Sequence, residues 1–277
     1  MASHFTLLAA VLLCLLGFGV GVFGTLVGAG GGFILTPVLL LIYPGSTPAL
    51  LTAISLIVVF FNAGSGSVAY ARQKRIDYRS GAVFAACTLP GSVLGVLVAE
   101  KVSRPGFDVI MGVALTGLAW WLGRGRRQPP AGHPDHGSAR LIVARDGKQY
   151  RYQANVRLGA LCSVGVGFVS SFLGIGGGVV HVPLLVTVLG FPTHVATATS
   201  HFVLTWMALV ATLTHVAAGT FHHGVGLRRA GALSVGVVFG AQLGALLSQR
   251  LSGTMIQRLL AVGLLALGLR LVLSVVL

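Results

Sequence analysis

Acidic side chains are nearly missing: only five Asp and Glu stand among 277 residues, and charges of both signs make up 9% of the chain. A soluble domain carries about 25% charged residues, so this composition cannot furnish a water-facing surface. The 19 Lys and Arg against five acids give a net charge of +14, which alone would suit a nucleic-acid partner. Their placement argues against that. Residues 1–71 and 158–227 hold no Asp, Glu, Lys or Arg, and the basic residues gather between apolar runs, as in a multi-pass membrane protein. No nucleic-acid recognition motif occurs, and no nucleic-acid partner is expected. Cysteine is scarce too. Cys14, Cys87 and Cys162 are far apart and lie inside apolar runs, which offers neither a disulfide framework nor metal-ligand spacing. The first apolar run lacks the basic leader of a cleavable signal and is read as a span.

Apolar residues, by contrast, make up 55% of the chain. A bilayer core about 30 Å thick takes roughly 20 helical residues to cross. Runs of that kind lie near 5–27, 49–70, 79–99, 107–122, 157–173, 195–218, 230–248 and 255–276. Two shorter apolar pieces, 33–42 and 179–189, follow glycine clusters and are too short to cross alone. They read as half-helices. The fold class expected is all-α integral membrane, with about eight transmembrane helices as two four-helix repeats, each with a Gly-rich break and a short half-helix.

The repeat is visible in the residues. Gly28-Ala-Gly30-Gly31-Gly32-Phe-Ile-Leu-Thr-Pro37 matches Gly174-Ile-Gly176-Gly177-Gly178-Val-Val-His-Val-Pro183 at an offset of 146. Thr52-Ala-Ile-Ser55 matches Thr197-Ala-Thr-Ser200 at 145, and Gly91-Ser-Val-Leu94-Gly95 matches Gly240-Ala-Gln-Leu243-Gly244 at 149. The division expected is a first repeat over 1–122, a basic linker over 123–156 and a second repeat over 157–277. Within the linker, Asp146-Gly147 between two β-prone runs predicts a small cytoplasmic hairpin with a two-residue turn.

With eight spans, the gaps on the linker side hold 14 of the Lys and Arg residues, against four on the other side. The positive-inside bias then puts both termini and the linker in the cytoplasm. If the half-helices counted as crossings, there would be five elements per half and the halves would be inverted. Length, more than charge, favours the first arrangement.

Backbone breaks at membrane depth survive only where protein or a polar cavity satisfies them. A half-helix starting after each cluster would aim free N–H groups and its positive dipole end at that cavity, a ready anion site. The alternative is close helix packing through small residues. The candidate site comprises Gly30, Gly31 and Gly32 with Thr52 and Ser55, and Gly176, Gly177 and Gly178 with His181, Thr197, Ser200 and His201. His181 and His201 replace Leu35 and Leu56 of the first half, so an asymmetric site is expected. A lone Thr or Ser in a membrane helix usually bonds its own backbone. His215, His222 and His223 show no HExxH spacing, and His222-His223 reads as a solvated turn; no metal, cofactor or catalytic residue is assigned. No carboxylate lies deep inside a span, which disfavours cation transport.

These residues resemble the sulfite exporter TauE/SafE family, also called TSUP, in the duplicated GxGGG-x-x-x-x-P element, the T-A-x-S segment and the Gly-rich third span of each half. The resemblance implies an eight-span duplicated bundle in a bacterial inner membrane, working as a secondary transporter for small sulfur-containing anions such as sulfite, thiosulfate or organosulfonates. The alternatives are a passive anion channel, a membrane-embedded partner subunit and, less favoured, an intramembrane enzyme. The sequence leaves the oligomeric state open, a homo-oligomer included.

Overall fold

The computed structural model describes residues 6–123, 138–221 and 225–276. Ten helices and one hairpin follow in the order α1 (Leu7–Val27), α2 (Gly32–Ile42), α3 (Pro48–Arg72), α4 (Tyr78–Ala99), α5 (Arg104–Gly123), β1 (Ser138–Val143), β2 (Gln149–Ala154), α6 (Val156–Leu173), α7 (Gly178–Thr187), α8 (Thr193–Ala217), α9 (Val225–Leu247) and α10 (Gly253–Val276). Among the described residues, α1, α3, α4, α6, α8 and α9 are six helices long and apolar enough to cross a membrane. The helices α5 and α10 coincide with the other two expected spans, and α2 and α7 with the half-helices. Local chemistry sets the boundaries. Thr6, Thr47, Asp77 and Asn155 each cap a helix by accepting an N–H three residues on, and Pro48 pre-sets the first turn of α3. Glycine in the left-handed conformation ends α1 at Gly28 and α6 at Gly174.

The helices before the hairpin and those after it are interlaced. The most extensive packing is α1 against α9 and α4 against α6, each between the first helix of one half and the fourth element of the other. Small residues permit it: a Cβ at Gly236 would strike the Cys14 carbonyl, one at Gly240 the Phe18 carbonyl and one at Gly244 the Val22 carbonyl. Residue numbers rise together along this seam, so α1 and α9 run parallel. Gly91 against Val164 and Gly95 against Phe168 give the same sense to α4 and α6.

Counterpart helices behave differently. Along α3 and α8, Leu56 clusters with Ala211, Ser67 bonds Thr205 at 3.2 Å and Tyr70 packs edge-on against His201. Numbers rise on one helix as they fall on the other, so α3 and α8 are antiparallel. The same-orientation arrangement of the halves is therefore corrected to the inverted one. A half-helix does not have to cross alone: the end of α1 meets α3 at Asn62, and α2 carries the chain back to the face where α3 begins. Both chain ends consequently face away from the hairpin, which lies at the C-terminal end of α3 and the N-terminal end of α8.

The strands pair antiparallel from Ser138↔Ala154 to Val143↔Gln149. The turn has three residues instead of two, because the Ala144 N–H bonds the Lys148 carbonyl at 2.9 Å and leaves Arg145, Asp146 and Gly147 (φ +81°) outside the ladder. Arg145 is held elsewhere: its N–H donates to the Gln73 carbonyl at 3.0 Å. Asp77 forms the second anchor. This buried N-cap of α4 accepts from the Ser80 N–H at 3.1 Å, the Ser80 hydroxyl at 2.7 Å and the Tyr152 hydroxyl at 2.8 Å, with Arg140 at 3.8 Å. Its own N–H donates to Thr199 Oγ1 at 3.0 Å. One carboxylate thus ties the hairpin to α4 and, through its backbone, to α8. Burial first, and then the adjoining Asp77 charge, pushes the Tyr152 phenol well above its usual range.

Candidate functional site

The two glycine breaks cross each other. Space for a side chain is absent at the crossing: a Cβ on Gly32 would meet the Ile175 backbone, and one on Gly178 the Gly28 carbonyl and Ala29. Gly28 lies on Thr197 and Gly174 on Thr52, so each break rests on the T-A-x-S segment of the other half. Gly30 faces Val59 and Leu204, and Gly176 faces Val59 and the Ala29 carbonyl. Gly31 sits beside Val20 and Asn62, and Gly177 beside Ser170 and Met207. Gly30, Gly32, Gly176 and Gly178 are thereby brought together at the crossing, while Gly31 and Gly177 face residues on their own side of the hairpin.

The serines explain how broken backbone survives in an apolar interior. Ser55 donates to the Gly174 carbonyl at 2.7 Å, and its counterpart Ser200 donates to the Gly28 carbonyl at 3.4 Å. The exchange is reciprocal, each half satisfying the first glycine of the other. Thr36 adds a second donor to the Gly174 carbonyl at 2.7 Å, where the equivalent residue in the second half is Val182. Thr52 and Thr197 bond back to the Ala49 and Thr193 carbonyls of their own helices, at 2.9 and 2.8 Å. In this closed arrangement all four hydroxyls are occupied by carbonyl oxygens.

His201 lies in a polar chain that crosses three helices. Its Nδ1 is 3.3 Å from the Thr197 carbonyl and its Nε2 is 3.3 Å from Thr25 Oγ1, which donates to Asn62 Oδ1 at 2.8 Å. The carbonyl can only accept, so Nδ1 carries a proton. With Thr25 donating to Asn62, Nε2 must also donate and the ring is an imidazolium. With the Asn62 amide turned over, its N–H₂ donates to Thr25, Thr25 donates to Nε2 and the ring is neutral. The chain therefore accommodates either protonation state through one amide rotation. Tyr70 closes it by donating to the Thr25 carbonyl at 2.7 Å. His181 stands apart. It is buried edge-on against Phe84, and neither ring nitrogen has a partner among the described residues.

Among the described residues, no backbone carbonyl accepts from the N–H groups of Gly32 and Phe33 or of Gly178 and Val179, the first residues of the half-helices. Cavities of about 450 Å³ and 420 Å³ lie at opposite ends of the helices, near Arg75 and near Glu100, and the glycines line neither. At the second, His215 Nδ1 is 3.1 Å from Glu100, which also accepts from Thr220 at 2.6 Å. Among the described residues no group of three His, Cys, Asp or Glu side chains converges; His222 and His223 lie outside them. Cys14, Cys87 and Cys162 are free and half-buried.

Thr25, Thr36, Tyr70 and Asp77 escaped the sequence reading. Thr25 had a signal, since the offset of 146 sets it opposite Ser171. Asp77 had one too, as an acid followed three residues later by Ser80 at a helix start. Nothing local marks Thr36 or Tyr70, whose partners lie 138 and 45 residues away.

The chain matches the family model described as Sulfite exporter TauE/SafE over residues 13–271. It is 29% identical over 268 residues to Probable membrane transporter protein YunE of Bacillus subtilis (strain 168), covering 95% of this chain and 97% of that one. A probable membrane transporter protein of Xylella fastidiosa (strain Temecula1) is 26% identical over 240 residues, covering 87% of this chain and 84% of the relative. No solved structure matches the chain significantly. The interlaced apolar helices, the paired glycine breaks and a family match over nearly the full length lead to one conclusion: this is a multi-pass membrane protein that belongs to the sulfite exporter TauE/SafE family.

Proposed function

We propose that the chain is a secondary transporter that moves a small sulfur-containing oxyanion between its two inverted halves. The observation that carries the reading is the crossing of the glycine breaks. There the unpaired N–H groups and positive dipole ends of α2 and α7 lie in a carboxylate-free interior, beside the Ser55, Ser200 and His201 side chains. The family description and the relatives' names point the same way. The halves of the proposed repeat are 1–122 and 157–277, joined by the linker 123–156. When they separate, Ser55 and Ser200 would leave the Gly174 and Gly28 carbonyls and turn to the anion, while His201 would supply or release a proton through the Asn62–Thr25 chain. All of these groups are buried, which supports a carrier over a passive pore.

Charge supports one orientation. Arg72, Lys74, Arg75, Arg79, Arg250, Arg258 and the basic residues of the hairpin lie toward one end of the helices, while the other has Lys101, Arg104, Arg228, Arg229 and Arg270. The hairpin end is then cytoplasmic and both termini are on the outer side. The test is flux into proteoliposomes containing the purified chain, with sulfite, thiosulfate, sulfate, sulfoacetate and chloride offered in turn. Saturable movement of a sulfur anion, lost in a Ser200→Ala/His201→Ala pair that still folds, is expected. Equal flux in wild type and the pair would sink the assignment of these side chains, and flux of none would sink the cargo class.

A further inference from the structure

A cavity of about 450 Å³ under the hairpin is separate from the glycine crossing. It opens between the C-terminal ends of α3 and α9, with Arg72 and Arg75 on one side, Gln242 and Gln249 on the other, and Arg145 and Asp146 of the hairpin turn above. Arg75 is 3% exposed. Its Nη2 lies 3.5 Å from Asp146, yet its Nε and Nη1 are buried with no acceptor among the described residues. Asp146 is shared, since Lys148 Nζ is also 3.5 Å from the same oxygen. A desolvated guanidinium with donors unmet is costly, and three Arg face one carboxylate around a space large enough for an oxyanion with its water. The dipoles of α3 and α9 end here with the wrong sign for an anion, so the guanidinium groups must outweigh them.

We propose that this cavity binds a small oxyanion, either a free sulfur oxyanion or the phosphate of a lipid headgroup, beside the Arg75 guanidinium that lines it. Arg72 and Arg145 supply further positive field, and Asp146 competes for the same guanidinium. Nothing in this rests on the glycine crossing being a transport site.

The test is equilibrium binding to the full chain in nanodiscs of phosphatidylcholine alone, using radiolabelled sulfite and then sulfate, with native mass spectrometry of the chain from membranes containing phosphatidylglycerol as the second arm. Binding is also read in the Ser200→Ala/His201→Ala pair, so that loss of a central site and loss of this one give different results. Saturable sulfite or sulfate binding that survives in that pair, weakens at least about tenfold in Arg75→Gln and tightens several-fold in Asp146→Asn marks a free-oxyanion site. A phosphatidylglycerol adduct lost in Arg75→Gln, without soluble-anion binding, marks a headgroup site. Arg75 is buried, so its variant is scored only where its melting temperature matches wild type; Asp146 is on the exposed turn and its variant tests the idea regardless. Unchanged affinity in Asp146→Asn, or neither kind of binding in wild type, overturns the proposal.

Discussion

The two glycine breaks share a sequence and differ in how they are held. Gly31 adopts φ +81°, whereas its counterpart Gly177 adopts φ −50°, an ordinary helical value. The Gly174 carbonyl accepts two hydroxyls at 2.7 Å, whereas the Gly28 carbonyl accepts one at 3.4 Å. Around the second break the Ser170, Ser171 and His181 side chains are buried without partners among the described residues, while Thr25, Asn62 and His201 near the first are linked to one another. A duplicated motif thus specifies where the chain breaks, and the neighbours decide how firmly. The looser bond belongs to Ser200, on the half with more unmet polar groups, so the mobile part of the crossing is expected around Ser200.

The largest effect tests what the breaks have in common. Alanine at Gly32 or Gly178 drives a Cβ into the backbone of the opposite break, and no rotamer relieves that. Each substitution should cost about 3 kcal/mol or more, at the upper end for overpacking, and both should abolish the monodisperse peak in size exclusion. A well-behaved Gly178→Ala protein would show that the crossing is not tight. The next test separates the breaks. Gly31→Ala incurs roughly 1–2 kcal/mol for the left-handed backbone as well as a contact with Val20 at 2.6 Å. Gly177→Ala meets only side chains, Ser170, Met207 and Val166 at 3.1 to 3.3 Å, and should cost less than about 1 kcal/mol. Equal melting temperatures for the two variants would erase the asymmetry.

How much of this was legible follows from what each feature depends on. Helix positions, both breaks and the hairpin were readable because apolar length, glycine clustering and turn residues act locally. Relative orientation was not, since Leu56 with Ala211 and Ser67 with Thr205 are facts of packing that no run of residues displays. The site was half legible. The repeat singled out Ser55 and Ser200 as equivalent, but not that each would bond the other half's glycine. His181 and His201 looked alike as polar replacements for leucine, yet among the described residues only His201 found partners, because Thr25 and Asn62 face it from α1 and α3.

Smaller effects should distinguish the two carbonyls. Ser55→Ala leaves Thr36 on the Gly174 carbonyl and is expected to cost about 1 kcal/mol; Ser55→Ala with Thr36→Val strips that carbonyl bare and should cost about 2–3 kcal/mol, more than the sum of the singles. Ser200→Ala surrenders a bond already at 3.4 Å, and should change thermal stability by less than about 0.5 kcal/mol while reducing flux. The reverse order, with Ser200→Ala the more destabilising, would place the rigid carbonyl on the wrong side of the comparison.

The smallest expected effect concerns the hairpin, which docks on the α3–α4 turn of the first half. Desolvation raises the Asp146 carboxyl, but the Lys148 N–H and the charges of Arg75 and Lys148 outweigh it and hold the group below the usual carboxylate range. Because its folded value is the lower one, Asp146 stabilises docking at neutral pH and loses that contribution as pH falls through the folded value; it gives no pH dependence between 6 and 8, by about two pH units of margin above the ordinary Asp value. Asp146 is on an exposed turn, so the effect is confined to the hairpin. Limited proteolysis at Lys148 and Arg151, run from neutral pH downward with an acid-tolerant protease of matched activity, should show cleavage rising only in the acid range. Asp146→Asn should flatten that rise and begin from a higher neutral rate, because the Arg75 contact is already gone. A steep change near pH 6.5 in both proteins would instead trace the opening to an imidazole, and would move the pH sensitivity of this protein from its hairpin to its histidines.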